Sequence, residues 1–284
     1  MNFKAAVFDF DGTITEKGVY SPSPEMISAL VALSRKMPIA FCTGRQFESF
    51  EKRCMKLVLA AIPKSEHEGF LKNLYLMAEN GAIGYFYNGK EFEEFYRVDW
   101  PEKFVAKTEM KERLRVAVEG YGDVYDDAHK VVLVMRTRLH DHDNRDINEV
   151  YRLSGEMYKI VTRLLSSIDP EYERFLHVGD SGLGVIVGPA DGDKDIAIKY
   201  LADFLARQRG ISFGENAREI LAVGDSPGFG GNDYYFLSGR FGTPYSVSDV
   251  IHEDRLLNYV FGEDGDRLVH GGGTLFLINT LLKG

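Results

Sequence analysis

The run Val7-Phe8-Asp9-Phe10-Asp11-Gly12-Thr13 sets two carboxylates two residues apart at the end of an apolar stretch. On an extended segment residues i and i+2 point the same way, so Asp9 and Asp11 can face one cavity. Comparable polar groups follow other apolar runs. Thr43-Gly44-Arg45 ends PIAFC, Lys194 precedes an amphipathic stretch, and Asp225 ends EILAVG, with Asn232 and Asp233 further on. This set suits phosphoryl transfer. Asp9 and Asp225 supply hard oxygen ligands of the kind Mg²⁺ takes, with waters and a phosphate oxygen completing the shell. The metal ion and Lys194 would neutralise charge on the transferring group. One carboxylate could then attack phosphorus as a covalent nucleophile. A second could protonate the leaving alcohol and later deprotonate water. Gly12 would let backbone N–H groups approach the phosphate, and Thr43 would add a hydroxyl donor.

Elements must hold these groups together. Residues 3–8 (FKAAVF) read as a buried strand ending at Asp9. In SPSPEMISALVALSRK, Ser23 can cap a helix, Pro24 fits its first position and Glu25 suits its positive end. PIAFCTGR reads as a second strand ending at Thr43, followed by a helix with Phe47, Phe50, Cys54, Val58 and Ala61 on one face. LYLMAENGA (74–82) is a third strand running into a turn. Strand and helix in alternation predict a parallel α/β sheet. The texture changes after Gly81. IGYFYNGKEFEEFYRVDW reads as a hairpin about Asn88-Gly89, and its aromatic residues at 85–96 read as packing of the inserted unit. Helix, strand and helix follow. FLHVGDSG and LGVIVG then suggest a second hairpin, with Asp180 as a turn residue. From about residue 190 the α/β texture returns, with a helix over KDIAIKYLADFLARQ, a strand ending at Asp225 and a final helix over LVHGGGTLFLINTLL. The predicted fold class is α/β. It has a Rossmann-like parallel-sheet core with helices on both faces (residues 1–82 and 190–284) and an inserted α+β unit (83–189). VGDS occurs twice, at 178–181 and 223–226. The two copies sit in segments of different texture, so internal duplication is not expected.

DFDGTIT, CTGR, a lone lysine and a late GD…ND, in this order, resemble the haloacid dehalogenase superfamily of phosphatases. The insertion resembles a type C2 cap of the Cof-type sugar-phosphate phosphatases, and AENGA at 78–82 is similar to the run by which that group enters its cap. The resemblance covers the whole chain in outline. It implies Asp9 as nucleophile and Mg²⁺ ligand, and Asp11 as general acid/base that also binds the metal through its backbone carbonyl. It implies Thr43 and Lys194 as holders of the phosphoryl group, with Gly12, Gly44 and Arg45 at the same site. Asp225 becomes the remaining protein ligand to Mg²⁺. Asn232 would act on phosphate and Asp233 on the order of the groups around it. Here Asn232 follows Asp225 by seven positions, more than in the resembled pattern, with SPGFGG between. The resemblance implies a Mg²⁺-dependent phosphomonoester hydrolase for a small phosphorylated metabolite, a sugar phosphate above all. The alternatives are a phosphotransferase resembling the phosphomannomutases and a regulatory relative without turnover.

Bulk properties fit these readings. At roughly 150 residues per domain, 284 residues suit two domains or one large one. Hydrophobic residues make up 44% and charged residues 27%, enough for a sizeable core. A net charge of −9 argues against nucleic acid or an anionic membrane as partner. It leaves a small anionic substrate open, because one metal ion and a few cations reverse the local field. No apolar run approaches the length of a membrane span, and MNFKAAVFDFDG lacks the pattern of a secretory leader. Cys42 and Cys54 have neither zinc-site nor redox spacing. They read as strand and helix packing in a cytoplasmic protein. LHDHDNRD (139–146) departs from a calcium loop at its glycine and glutamate positions and reads as a polar loop, with Arg136, Arg138, His140 and His142 as candidates to face substrate. Arg45 either contacts substrate or pairs with an acid at a helix start.

Overall fold

Successive residues of the central strands face opposite sides of a sheet, and both sides are apolar. Ala6, Phe8, Ile39, Phe41, Leu221 and Val223 belong to one buried cluster; Ala5, Val7, Ala40, Cys42, Ile220 and Ala222 belong to a second. A sheet buried on both faces needs helices on both. The chain supplies them.

The structure, a computed structural model, describes residues 2–125, 128–140, 142 and 145–283. The first part contains β1 (Ala5–Phe8), α1 (Pro24–Ser34), β2 (Ile39–Cys42), α2 (Phe47–Phe50), α3 (Lys56–Ala61), α4 (Lys64–Lys72), β3 (Leu74–Ala78), β4 (Ile83–Tyr87) and β5 (Phe92–Arg97). Then come α5 (Lys107–Ala117), β6 (Gly122–Tyr125), β7 (Leu133–Thr137), α6 (Ile147–Ile168), β8 (Leu176–Asp180) and β9 (Gly184–Pro189). The last part holds α7 (Lys194–Arg209), β10 (Ile220–Gly224), β11 (Thr243–Ser246), β12 (Asn258–Tyr259) and α8 (His270–Lys283). The large sheet has the order β12-β11-β10-β1-β2-β3-β4-β5, parallel from β12 to β3. Helices α1, α3 and α8 cover one face, and α7 covers the other. This is the expected α/β core.

The aromatic hairpin lies elsewhere than expected. β4 pairs antiparallel with β3, and β5 with β4, so residues 83–97 extend the large sheet. Glu79–Gly81 causes this. Asn80 (φ 61°) and Gly81 (φ 97°) take left-handed conformations that reverse the chain at the sheet edge. Phe95 then packs 4.3 Å from Phe204 and Tyr96 stacks 4.4 Å from Tyr200, both on α7. The aromatic residues at 85–96 therefore cover the core sheet rather than pack within the inserted unit.

The inserted unit has a four-stranded antiparallel sheet, β6-β7-β9-β8. Leu133, Met135, Val185 and Val187 pack with Met110, Leu114, Met157 and Val161 of α5 and α6. The residues between them, Val134 and Ile186, join the cluster of the core. So one face of this sheet is its own core and the other looks toward the large sheet. The second helix also differs from its expected form. A π-helical turn, Glu51–Met55, separates α2 from α3. The wider turn rotates the inward face, so Cys54, Met55 and Val58 are buried and Ala61 is exposed.

Buried Glu79 fastens the return of the chain. Its Oε1 accepts from Lys130 N at 2.8 Å, and its Oε2 from Val131 N at 2.6 Å and Val132 N at 3.1 Å. Removing a carboxylate that satisfies three backbone donors leaves those donors unpaired. Glu79→Ala should therefore cost about 3 kcal/mol or more in urea unfolding, with faster amide exchange at residues 131 and 132. A loss under about 1 kcal/mol would show that these donors find other partners.

Candidate active site

The C-terminal ends of parallel strands lie on one edge of the sheet, where polar groups gather in open α/β folds. Phe8 of β1 is in register with Val223 of β10 and Phe41 of β2. Asp9, Asp225 and Thr43 follow at that same edge. Lys194 reaches it from the first turn of α7. Asp193 caps this helix, its carboxylate accepting from Lys194 N at 2.7 Å. The turn at Gly81 packs on that helix start. A Cβ on Gly81 would sit 3.0 Å from Asp193 and Lys194 backbone atoms, so glycine is required by both space and φ.

Lys194 is fully buried, and its Nζ donates to Asp9 Oδ1 at 2.6 Å and Asp233 Oδ1 at 2.8 Å. Asp233 Oδ2 accepts from Asp225 N at 3.0 Å and Ser226 N at 3.1 Å. Asp225 Oδ1 accepts from Thr13 Oγ1 at 3.1 Å. Asp9, Asp225 and Asp233 offer carboxylate oxygens within 4.8 Å of one another, the one such acidic or thiol-imidazole group among the described residues. Three carboxylates face one ammonium, which leaves two negative charges to be balanced in a largely buried site. Burial pushes the Asp9 carboxyl up to about 7, with Lys194 holding it down and Asp233 opposing. Burial and the neighbouring Asp233 and Asp9 raise Asp225 well above the carboxylate range. The same carboxylates raise Lys194 against its own desolvation. This donor set fits a hard divalent cation. Asp233 has both oxygens engaged, whereas Asp9 Oδ2 and Asp225 Oδ2 have no hydrogen-bond partner among the described residues. Asp9 and Asp225 are therefore the carboxylates able to take the ion.

The loop after β1 is held by hydrogen bonds of its own. Gly12 N donates to Thr15 Oγ1 at 3.1 Å, and Gly12 O pairs with His270 Nδ1 at 2.9 Å. Its own N–H and carbonyl are thus engaged within the protein, while the residue lines the cleft. Glycine is needed because φ is 79° and a Cβ would lie 2.6 Å from Asp225 Oδ2. The sequence alone assigns no role to Thr13, Thr15 or His270. The two threonines alternate in DGTIT, a usable signal, but nothing local marks a histidine so far along the chain.

Thr43 is buried, with its Oγ1 accepting from Arg45 N at 3.2 Å. Arg45 pairs with Asp11 and lines the cleft. Its Nε donates to Asp11 Oδ2 at 2.8 Å, its Nη2 donates to Asp11 Oδ1, and Nη1 reaches Ser49. Asp11 is half-buried and points into the cleft beside Asp9. Gly44 leaves room for Ile186 of β9, whose Cδ1 occupies the place a side chain would take.

Several solved structures share this architecture. An N-terminally truncated IMP-nucleotidase of Plasmodium falciparum superposes with a TM-score of 0.60 at 18% identity, over 84% of this chain and 64% of that one. The C-terminal domain of C. albicans trehalose-6-phosphate phosphatase gives 0.62 at 16% identity, over 99% and 93%. Aspergillus fumigatus trehalose-6-phosphate phosphatase gives 0.54 at 14% identity, over 100% and 94%. The chain thus spans just under two thirds of the nucleotidase chain. No protein-family model matches the sequence, and no curated protein sequence does so significantly. At these identities the likeness is one of fold. The chain has the haloacid dehalogenase-type fold with an inserted cap.

The inserted unit and the core together line a cleft of about 1280 Å³ that contains the carboxylate cluster. The cap's contact with the core uses the lengthened stretch after Asp225. Asp233 N donates back to Ser226 O at 3.1 Å, so the intervening residues loop out while Asp233 keeps its place under Asp225. The end of that loop meets the first VGDS string. Asp180 N donates to Gly230 O at 2.8 Å, and Asn232 N donates to Asp180 O at 2.9 Å. Asp180 is the last residue of β8, and its carboxylate accepts from Ser154 Oγ at 2.5 Å and Gly182 N at 2.8 Å. The two VGDS strings are therefore joined across the cap–core boundary. Asn232 is buried, and its Oδ1 has no partner among the described residues. Arg136, His140 and His142 line the cleft, while Arg138 is exposed. Asp141, Asp143 and Asn144 of LHDHDNRD lie outside the described residues. Cys42 and Cys54 are buried free thiols, both pushed up by burial. No helix among the described residues is long and apolar enough to cross a membrane.

The raised carboxyls carry a pH signature. Without metal, folded Asp9 and Asp225 hold protons more tightly than the unfolded chain, whose carboxyls titrate near 3.8. Their stabilising effect is present below that value and is lost as pH rises toward about 7. The melting temperature in EDTA should therefore fall between about pH 5 and about pH 8, and Mg²⁺ should raise it more at the higher pH, where it meets unprotonated ligands. A Mg²⁺ effect larger at the lower pH would contradict this charge balance.

Proposed function

We propose that this chain is a Mg²⁺-dependent phosphomonoester hydrolase for a small phosphorylated metabolite, with sugar phosphates as the leading class, working through an aspartyl-phosphate on Asp9. The observation that carries the reading is the buried Lys194 shared by Asp9 and Asp233, with Asp225 alongside and Asp11 two residues on. Asp9 and Asp225, with the backbone carbonyl of Asp11, would hold the metal ion. When bound, Mg²⁺ supplies positive charge to the phosphoryl oxygens and lets both carboxylates stay ionised.

The protein's own groups carry the rest. Lys194 orients the Asp9 carboxylate, one oxygen of which attacks phosphorus in line with the leaving alcohol while the other stays with the cations. Lys194, Thr43 and the Gly44 turn hold the phosphoryl oxygens, and the Asn232 amide adds a polar contact. Asp233 positions Lys194 and the strand end bearing Asp225. Asp11 gives its proton to the leaving oxygen and then takes one from the water that attacks phospho-Asp9. To do so, one oxygen must come off Arg45, which makes Arg45 a positioning residue for the acid. The cap excludes bulk water during the covalent stage. Core 1–97 and 190–284 with cap 98–189 is the division we adopt. Two buried free thiols suit a cytoplasmic setting.

A phosphate-release screen with Mg²⁺ over sugar phosphates, nucleotides and phosphoglycerates tests the reading. Turnover should need no added bisphosphate; a strict need for one would favour the phosphomannomutase-like alternative. Asp9→Asn should lower turnover by about 10³-fold or more while leaving the fold intact. Asp225→Ala should lose Mg²⁺ binding, and Asp180→Ala should keep it. Turnover by Asp9→Asn at the parent rate would overturn the mechanism.

A further inference from the structure

Tyr20, in the loop that follows β1, is surrounded by guanidinium groups. Arg53 lies 5.1 Å from its ring centroid, Arg145 5.2 Å and Arg45 6.0 Å. Arg45 is accounted for by Asp11. Arg53 forms no ion pair among the described residues, and Arg145 donates to a carbonyl, His140 O, rather than to an acid. Three separate elements deliver these groups. Tyr20 comes from the core loop, Arg53 from the π-helical turn Glu51–Met55, and Arg145 from the cap just ahead of α6. π-Turns inside helices recur at functional sites because they re-aim side chains. This one buries Cys54 and Met55 together and leaves Arg53 on the cleft.

Composition does not explain the cluster. Acidic residues outnumber Lys and Arg by 43 to 34, yet Arg53 and Arg145 gather about Tyr20 in the cleft that contains Asp9 and Asp11. Like charges in one patch repel. The face of an aromatic ring offsets part of that, and an anion among the guanidinium groups would offset the rest. Guanidinium binds phosphate and carboxylate in forked pairs, which lysine does not.

We propose that Tyr20, Arg53 and Arg145 form a second anion site, so that the substrate carries a phosphate or a carboxylate in addition to the scissile phosphate. The position of the scissile phosphate rests on the hydrolase reading above. Arg45 stands between the two sites, holding Asp11 while facing Tyr20. Arg145 belongs to the cap and Arg53 to the core, so the second anion is also held by both parts. Substrates lacking it bind without that link.

Binding to the Asp9→Asn protein with Mg²⁺, read by calorimetry, tests the site without turnover. The probes are two pairs: fructose 1,6-bisphosphate against fructose 6-phosphate, and 6-phosphogluconate against sorbitol 6-phosphate. The doubly anionic member of at least one pair should bind about tenfold tighter or better. The pair that shows it tells phosphate from carboxylate. Arg53→Ala and Arg145→Ala, each added to Asp9→Asn, should bring that ratio toward one, and Arg53→Lys should keep part of it. No preference in either pair, or a preference that survives both alanine substitutions, overturns the second anion site. Phosphate release by the parent protein over the same probes keeps the two readings apart. Binding preference without release would sink the hydrolase and leave the anion site standing; release without preference would do the reverse.

Discussion

A lysine without solvent contact, bound to two buried aspartates, is the interaction on which the rest of the structure depends. Charges this deep are tolerated only when paired and hydrogen-bonded. Lys194 meets both conditions with distances of 2.6 and 2.8 Å. The pairing demands that β1 and β10 be neighbours, that α7 begin at the strand edge, and that Gly81 let a turn lie against the helix start. It also leaves excess negative charge, visible as raised Asp9 and Asp225 carboxyls. A site built this way is incomplete without added positive charge, which is why its chemistry and its stability are linked.

The coupling of cap to core follows from the same economy of backbone groups. Glu79 satisfies three amides where the chain returns from the cap's first half. Asp180 pairs by its backbone with the loop that precedes Asn232. Ile186 fills the space that Gly44 leaves beside Thr43. Each contact joins a cap strand or its flank to the core, two of them beside Asn232 and Thr43. A shift of the cap would therefore be felt at the site through short paths, and the lengthened loop after Asp225 serves as part of that boundary.

Much of this was legible in the residues themselves. Short apolar runs ending in Asp9, Thr43 and Asp225 carry a local signal, because parallel strands must be buried and their ends must be polar. Ser23 and Pro24 mark a helix start and are found at one, with Ser23 Oγ accepting from Met26 N. The misplacement of residues 83–97 has a physical source. A hairpin's periodicity records that it is antiparallel and not which sheet it joins; α7, more than a hundred residues later, decides that through Phe204 and Tyr200. Gly12 was readable as a glycine with a purpose, but its φ and the approach of Asp225 depend on the folded loop. Tyr20, Arg53 and Arg145 stand on three segments and follow no spacing rule. The join between Asp180 and Gly230 is made by backbone groups alone, to which sequence is blind.

In the proposed reaction Asp9, and no other group, takes the phosphoryl. The most direct measurement is rapid acid quench during turnover of the best substrate from the release screen, followed by peptide mapping of the trapped phosphoryl group. The expected result is an acid-stable, hydroxylamine-labile acyl phosphate on the peptide bearing Asp9, formed and lost at rates compatible with turnover and missing in Asp9→Asn. Phosphate release at full rate with no phosphoryl on Asp9, or with the group on another residue, would contradict it.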